Sequence, residues 1–149
     1  MTAVRAVAAL SFTSACLHGS VMVSHFREYF LFGLFFAIVT PLQVAWAELI
    51  RRAPGERGLL AAGAIGNGAI AIVWLVSRTV GLPFGPGRLQ AEAAGVKDVL
   101  ATYSEGMIVG LVAVILLSPV TRPLPSWSLV VAWTVAGLGL VAALVGGGH

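Results

Sequence analysis

A few ionisable side chains interrupt the apolar stretches of this sequence, and they are the groups that could do chemistry. They are two histidines, three carboxylates and one arginine: His18, His25, Glu28, Arg78, Asp98 and Glu105. Imidazole nitrogen and carboxylate oxygen suit Zn, Fe, Mn or Cu, and a histidine can be the axial ligand of a haem. Histidine beside carboxylates can also exchange protons near neutrality, so a proton path is a further possibility.

The spacing of these residues predicts which of them share a helix face. His25 follows His18 by seven positions, and Glu105 follows Asp98 by seven, so each pair lies on one face with its members about 10 Å apart. We predict metal ligands at His18, His25, Glu28 and Glu105, and ligand-binding roles for Arg78, Asp98 and Asn67. The structural alternative is an ion-pair lock of Arg78 with Glu105 or Asp98, and an interhelical hydrogen bond for Asn67.

The composition indicates that lipid is the solvent around these groups. Hydrophobic residues make up 58% of the 149 positions and charged residues only 10%, against about 25% charged in a typical soluble domain. The net charge of +3 is spread between apolar runs, which argues against a nucleic-acid-binding surface. The single cysteine, Cys16, excludes an intrachain disulfide and a thiolate metal cluster.

Apolar runs of about 20 residues, the length that crosses a bilayer as a helix, predict the fold class. We expect an all-α bundle of five transmembrane helices in one domain over residues 1–149, with four helices as the alternative. The expected spans cover residues 3–22, 29–50, 58–76, 98–118 and 127–145, and the first is the least apolar. No HExxH, CxxCH, Walker or GxSxG motif occurs, so no catalytic residue is assigned.

The basic residues predict an orientation with the N-terminus inside and the C-terminus outside, by five against four. The inner group is Arg5, Arg51, Arg52, Arg57 and Arg122, and the outer group is Arg27, Arg78, Arg88 and Lys97. In this orientation the ionisable cluster lies in the outer leaflet. The long segment after Arg78, with Pro83 and Pro86, is then either a lid over the cluster or a plain connector.

Small residues four apart predict where helices approach each other closely. Such pairs are Ala62 and Gly66, Ala64 and Gly68, Gly106 and Gly110, and Ala132 and Ala136. These faces serve either packing within the bundle or an oligomer seam. Pro41 predicts a kink in the second helix, where Gln43 could satisfy a freed carbonyl.

Three stretches resemble a group of small bacterial polytopic membrane proteins that has no established activity. They are "HFREYFLFGLFF", "QVAWAELIRR" and "WLVSRTVGLPFGP", and the resemblance covers roughly residues 15–110. It implies that His18, His25, Glu28, Arg78 and the Gly-Leu-Pro-Phe-Gly-Pro turn belong to one feature. It carries no mechanism across. We expect a multi-pass location in a bacterial inner (plasma) membrane.

The leading functional hypothesis is therefore a small multi-pass membrane protein with an outward-facing polar site. That site would hold a metal ion, a haem or a small ligand. The alternatives are a non-catalytic accessory subunit of a larger membrane complex, a homo-oligomer, and an oligomeric transporter or proton path.

Overall fold

The structure, a computed structural model, describes residues 3–118 and 126–145, with side chains of the last helix described from Val130 onward. These residues form five α-helices and no strand: α1 (Ala3–Glu28), α2 (Phe30–Arg52), α3 (Arg57–Thr79), α4 (Val96–Leu117) and α5 (Ser126–Val145). The predicted all-α bundle is confirmed. Arg122, used for the predicted orientation, lies outside the described residues.

Helices α1 and α3 run past their expected ends, and serine, threonine and histidine side chains there bond to the backbone of their own helix. In α1, the Ser20 hydroxyl donates to Leu17 O, and the Ser24 hydroxyl and His25 Nδ1 contact Val21 O. The helix therefore continues six residues beyond the expected end at Met22. Polar residues that satisfy themselves locally lower the hydropathy of a segment without ending its helix.

Four of the helices, α1 to α4, are long and apolar enough to cross a membrane. The described apolar part of α5, Val130–Val145, is shorter. Many large hydrophobic side chains are exposed on these helices, including Ile38, Ile65, Ile72 and Leu117. Since such side chains belong in acyl chains rather than in water, the chain is a multi-pass membrane protein.

Helix α1 is the centre of the bundle and packs against α2, α4 and α5, while α3 packs against α4. Helix α5 is joined to α1 where the Thr13 hydroxyl donates to Ala136 O at 3.2 Å and Thr13 also lies against Gly139. Of the predicted small-residue faces, Ala132 and Ala136 are buried and Gly68 contacts Val109. The faces at Gly66, Gly106 and Gly110 meet open space.

The two ends of the bundle differ. At the turn end, which is the end closed by the loop Ala53–Glu56, the Trp46 ring fills a notch at Gly63 and its indole N–H donates to Leu59 O at 2.8 Å. At the opposite connector end, residues 80–95 cross from α3 to α4. Helix α2 continues through Pro41, and the Gln43 side chain turns to the bundle interior instead of capping a freed carbonyl.

Candidate functional site

The carboxyl of Glu105 on α4 is fully buried. Its Oε1 lies 2.8 Å from His18 Nε2 and accepts hydrogen bonds from the Ser14 hydroxyl at 3.1 Å and the Gln43 amide at 3.4 Å. Its Oε2 has no hydrogen-bond partner among the described residues. One oxygen of this carboxyl is therefore crowded with donors and the other is unmatched.

Gln43 links this carboxyl to α3. Its amide nitrogen donates to Ser14 Oγ at 3.2 Å and to Asn67 Oδ1 at 3.0 Å, and the Asn67 amide donates to Gly63 O at 2.8 Å. Asn67 thus makes the interhelical hydrogen bond expected of it. The ligand-binding role predicted for Asn67 stays a prediction, and Asn67 does not line the cavity described below.

At the connector end, Arg78 is held between two carboxylates. Its guanidinium pairs with Glu92 of the connector and, at 2.8 Å, with Asp98 Oδ2 at the start of α4. Asp98 Oδ2 also accepts from the Gly95 amide at 3.2 Å, and the Glu92 amide donates to Ser77 O. The predicted ion pair of Arg78 with Asp98 is present, and it fastens the connector across the ends of α3 and α4.

A cavity of about 250 Å³ lies between these two polar groups. Helix α2 forms one wall and α3 forms the facing wall: Leu31, Phe32, Phe35 and Phe36, opposite Ile70, Val73, Trp74 and Ser77. The floor comes from α1 and α4, which pack together beneath the gap: His18, His25, Asp98, Thr102 and Glu105. The surface of the cavity is predominantly apolar and aromatic.

The connector covers this cavity from the side opposite to Glu105. Leu82, Phe84 and Glu92 line it, and the Phe84 ring lies 6.2 Å from the Phe32 ring between centroids. Gly85 has φ of +94°, and a Cβ there would lie 2.6 Å from Phe32 Cζ. A side chain at position 85 would thus be both strained and in collision with α2. The connector is laid closely on the aromatic wall, in the position predicted for a lid.

Five of the residues predicted from the sequence line this one cavity: His18, His25, Arg78, Asp98 and Glu105. Glu28, at the exposed end of α1, is not among its lining residues. No group of three or more His, Cys, Asp or Glu side chains within the described ranges could hold a metal ion. Two helical turns, a rise of about 10 Å along α1, separate His18 from His25. His25 Nδ1 is moreover within hydrogen-bonding distance of Val21 O.

Sequence reasoning missed Ser14, Gln43, Glu92 and the aromatic walls. Ser14 precedes His18 by four positions on the same face, which was a usable signal. Gln43 stands alone in an apolar run, and only the packing of α2 against α1 brings it to Glu105.

No protein-family model matches this chain, and neither a curated protein nor a solved structure is significantly similar to it. The functional argument therefore depends on the geometry of the cavity.

Proposed function

We propose that this protein is a non-catalytic ligand-binding module of a bacterial inner membrane, with its cavity on the extracytoplasmic side. The ligand is a small molecule whose polar end reaches the His18–Glu105 pair while its body lies among the aromatic walls. A metal ion is not the ligand of this proposal, because the described residues contain no group of three or more His, Cys, Asp or Glu side chains that could hold one.

The unmatched Oε2 of Glu105 is the observation that carries the proposal. A buried polar atom left without a partner costs about 1–3 kcal/mol, and more if it is charged. Evolution could remove that cost with an apolar residue, since the bundle core nearby is built from Leu10, Ile108 and Val112. A ligand that donates a hydrogen bond to Oε2 would remove this free-energy cost, which explains why a carboxyl is kept at this position.

The ion-pair lock does not account for Glu105. Arg78 is already matched by Glu92 and Asp98, so the connector is fastened without any contribution from Glu105. The lock and the buried acid are separate features on opposite sides of one cavity. That separation supports a structural role for the first and a binding role for the second.

The test is native mass spectrometry of the protein extracted from its own host membrane in mild detergent. We expect a small-molecule adduct that is lost in Val73→Trp, because Val73 lines the cavity and a tryptophan there would fill it. The matched control is Ile72→Trp, the neighbouring position, which is exposed and is not a lining residue. An absent adduct, or one that survives equally in both variants, would contradict the proposal.

A second candidate is an accessory subunit, favoured by the small-residue faces that are exposed in the bundle. Gly66 on α3 and Gly106 and Gly110 on α4 leave room for close approach by another helix. A partner or a second copy seated there would be displaced by Gly106→Leu and Gly110→Leu. Co-purification that is unchanged in this double variant would remove the candidate.

A further inference from the structure

The cavity is placed to be reached from the bilayer. Helices α2 and α3 hold each other through Gln43 with Asn67 and through Trp46 with Leu59 and Gly63, on the turn-end side. Towards the connector end, α2 rests on α1 and α3 rests on α4, and the cavity lies between the two pairs. The opening between the two pairs is therefore bordered by α2 and α3, whose outer surfaces face lipid.

The exposure of the lining residues locates the mouth. Leu31 on α2 is 44% exposed and Val73 on α3 is 40% exposed, although both line the cavity. On the floor, His18 is 7% exposed and Glu105 is 0% exposed. A molecule dissolved in acyl chains thus meets an apolar rim first and the polar pair last, which is the order that suits an amphipathic ligand with its polar head leading.

The unmatched polar atoms around the cavity describe the head of that ligand. Glu105, Trp74 and Arg78 line the cavity, and each has one buried atom without a partner among the residues described: the acceptor Glu105 Oε2 and the donors Trp74 Nε1 and Arg78 Nε. A matching molecule has a donor at its leading end and an acceptor elsewhere. Between these groups stand Phe32, Phe35, Phe36 and Phe84, which favour the faces and edges of a flat ring.

We infer that the ligand is a membrane-dissolved hydroxylated aromatic ring, of the quinol or phenol class, that enters between α2 and α3. Its hydroxyl donates to Glu105 Oε2. The inference rests on the proposed function and adds the substrate class and the route. Ligand cavities usually measure about 300–1,000 Å³, so a volume of about 250 Å³ suits a head of one or two rings, with any tail left in the bilayer.

The experiment uses purified full-length protein in detergent and native mass spectrometry titrations with three probes. These are 2-methyl-1,4-naphthoquinol, the same ring with a short isoprenoid tail, and the dimethyl ether of the tailed quinol. We expect the tailed quinol to bind at least about tenfold more tightly than its dimethyl ether, because the ether cannot donate to Oε2. Equal binding of the quinol and the ether would overturn the inference.

Glu105→Gln provides a reversal that a merely structural role would not produce. The Ser14 hydroxyl and the Gln43 amide surround the position of Oε1, so they hold the new amide with its oxygen towards them and its NH₂ in place of Oε2. The variant should then lose the quinol preference and favour the ether, which accepts. A preference for the quinol that is unchanged in this variant would also overturn the inference.

The outcomes separate the two proposals. If the host adduct is present and sensitive to Val73→Trp but the quinol and the ether bind equally, the cavity binds ligands of another class and only the inference fails. If neither an adduct nor any probe binds, both fail. Tighter binding of the tailed quinol than of the tailless ring identifies a lipid-borne source, and equal binding identifies a small phenol that partitions into the bilayer; each supports the inferred ring chemistry.

Discussion

Helices α2 and α3 meet very differently at their two ends. At the turn end, Trp46 presses into the notch at Gly63 and its indole N–H is satisfied by Leu59 O. Towards the connector end the same two helices stand apart around a cavity, and Trp74 on its wall has an unmatched indole N–H. The comparison indicates that this helix pair is held together at one end and stands apart at the other.

The polar groups follow this division in part, since Gln43 Oε1, on the turn-end side, is also without a partner among the residues described. Asn67, towards the turn end, has both its amide oxygen and its amide nitrogen in hydrogen bonds. Beside the cavity, Glu105 and Arg78 each keep one atom without a partner among the residues described. Full satisfaction is what structural polar groups in a membrane show, because lipid offers no alternative partner. A ligand bound in the cavity could supply the hydrogen-bond partners that Glu105 and Arg78 lack.

The largest effect on stability is expected from Arg78→Ala. It would leave Glu92 and Asp98 facing each other without the cation between them, in a place where the Arg78 side chain is only 13% exposed. We expect a loss of about 2–4 kcal/mol in the free energy of unfolding, measured by titration with a denaturing detergent. Arg78→Lys keeps the charge and should lose less. Equal losses in both variants would mean that the charge is not what holds the connector.

A smaller loss in the free energy of unfolding is expected from Gly63→Ala, which disturbs the contact of α2 with α3 at the turn end. A Cβ at this position would lie 1.8 Å from the Trp46 ring, so the two helices must separate or the ring must leave the notch. Overpacking of this kind costs about 1–3 kcal/mol. The control is Gly66→Ala on the same helix, where a Cβ meets open space. If Gly63→Ala unfolds like Gly66→Ala, the notch does not hold the helices together.

The smallest effect is expected from Glu48→Gln at the turn end. Glu48 pairs with Arg51 and Arg52, but all three side chains are well exposed at the end of α2. Exposed ion pairs add little stability. We expect no measurable change in the same titration, in contrast with Arg78→Ala. A loss as large as that of Arg78→Ala would break the distinction between exposed pairs and the shielded pairs that fasten the connector.

The fold could be predicted from the sequence because a run of about 20 apolar residues has the length and composition of a helix that crosses the bilayer. The predicted span of α1 ended too early, at the serine and histidine side chains that bond to the helix backbone, since hydropathy does not take such hydrogen bonds into account. At the site, the heptad spacing correctly placed Asp98 and Glu105 along one side of α4. Spacing along one helix could not show that α2 brings Gln43 and four large apolar side chains to the same place, because that depends on tertiary packing.

The central claim is that a bilayer-dissolved molecule reaches Glu105 through the gap between α2 and α3, and photolabelling tests it most directly. A small lipophilic phenyldiazirine, activated by light in proteoliposomes, forms a carbene that reacts with whatever lies beside it, and peptide mass spectrometry locates the label. We predict labelling of Thr102 and Glu105, strongly reduced in Val73→Trp and retained in Ile72→Trp. Labelling confined to exposed residues such as Ile65 and Ile72, with Glu105 unmodified in the unaltered protein, would contradict the account.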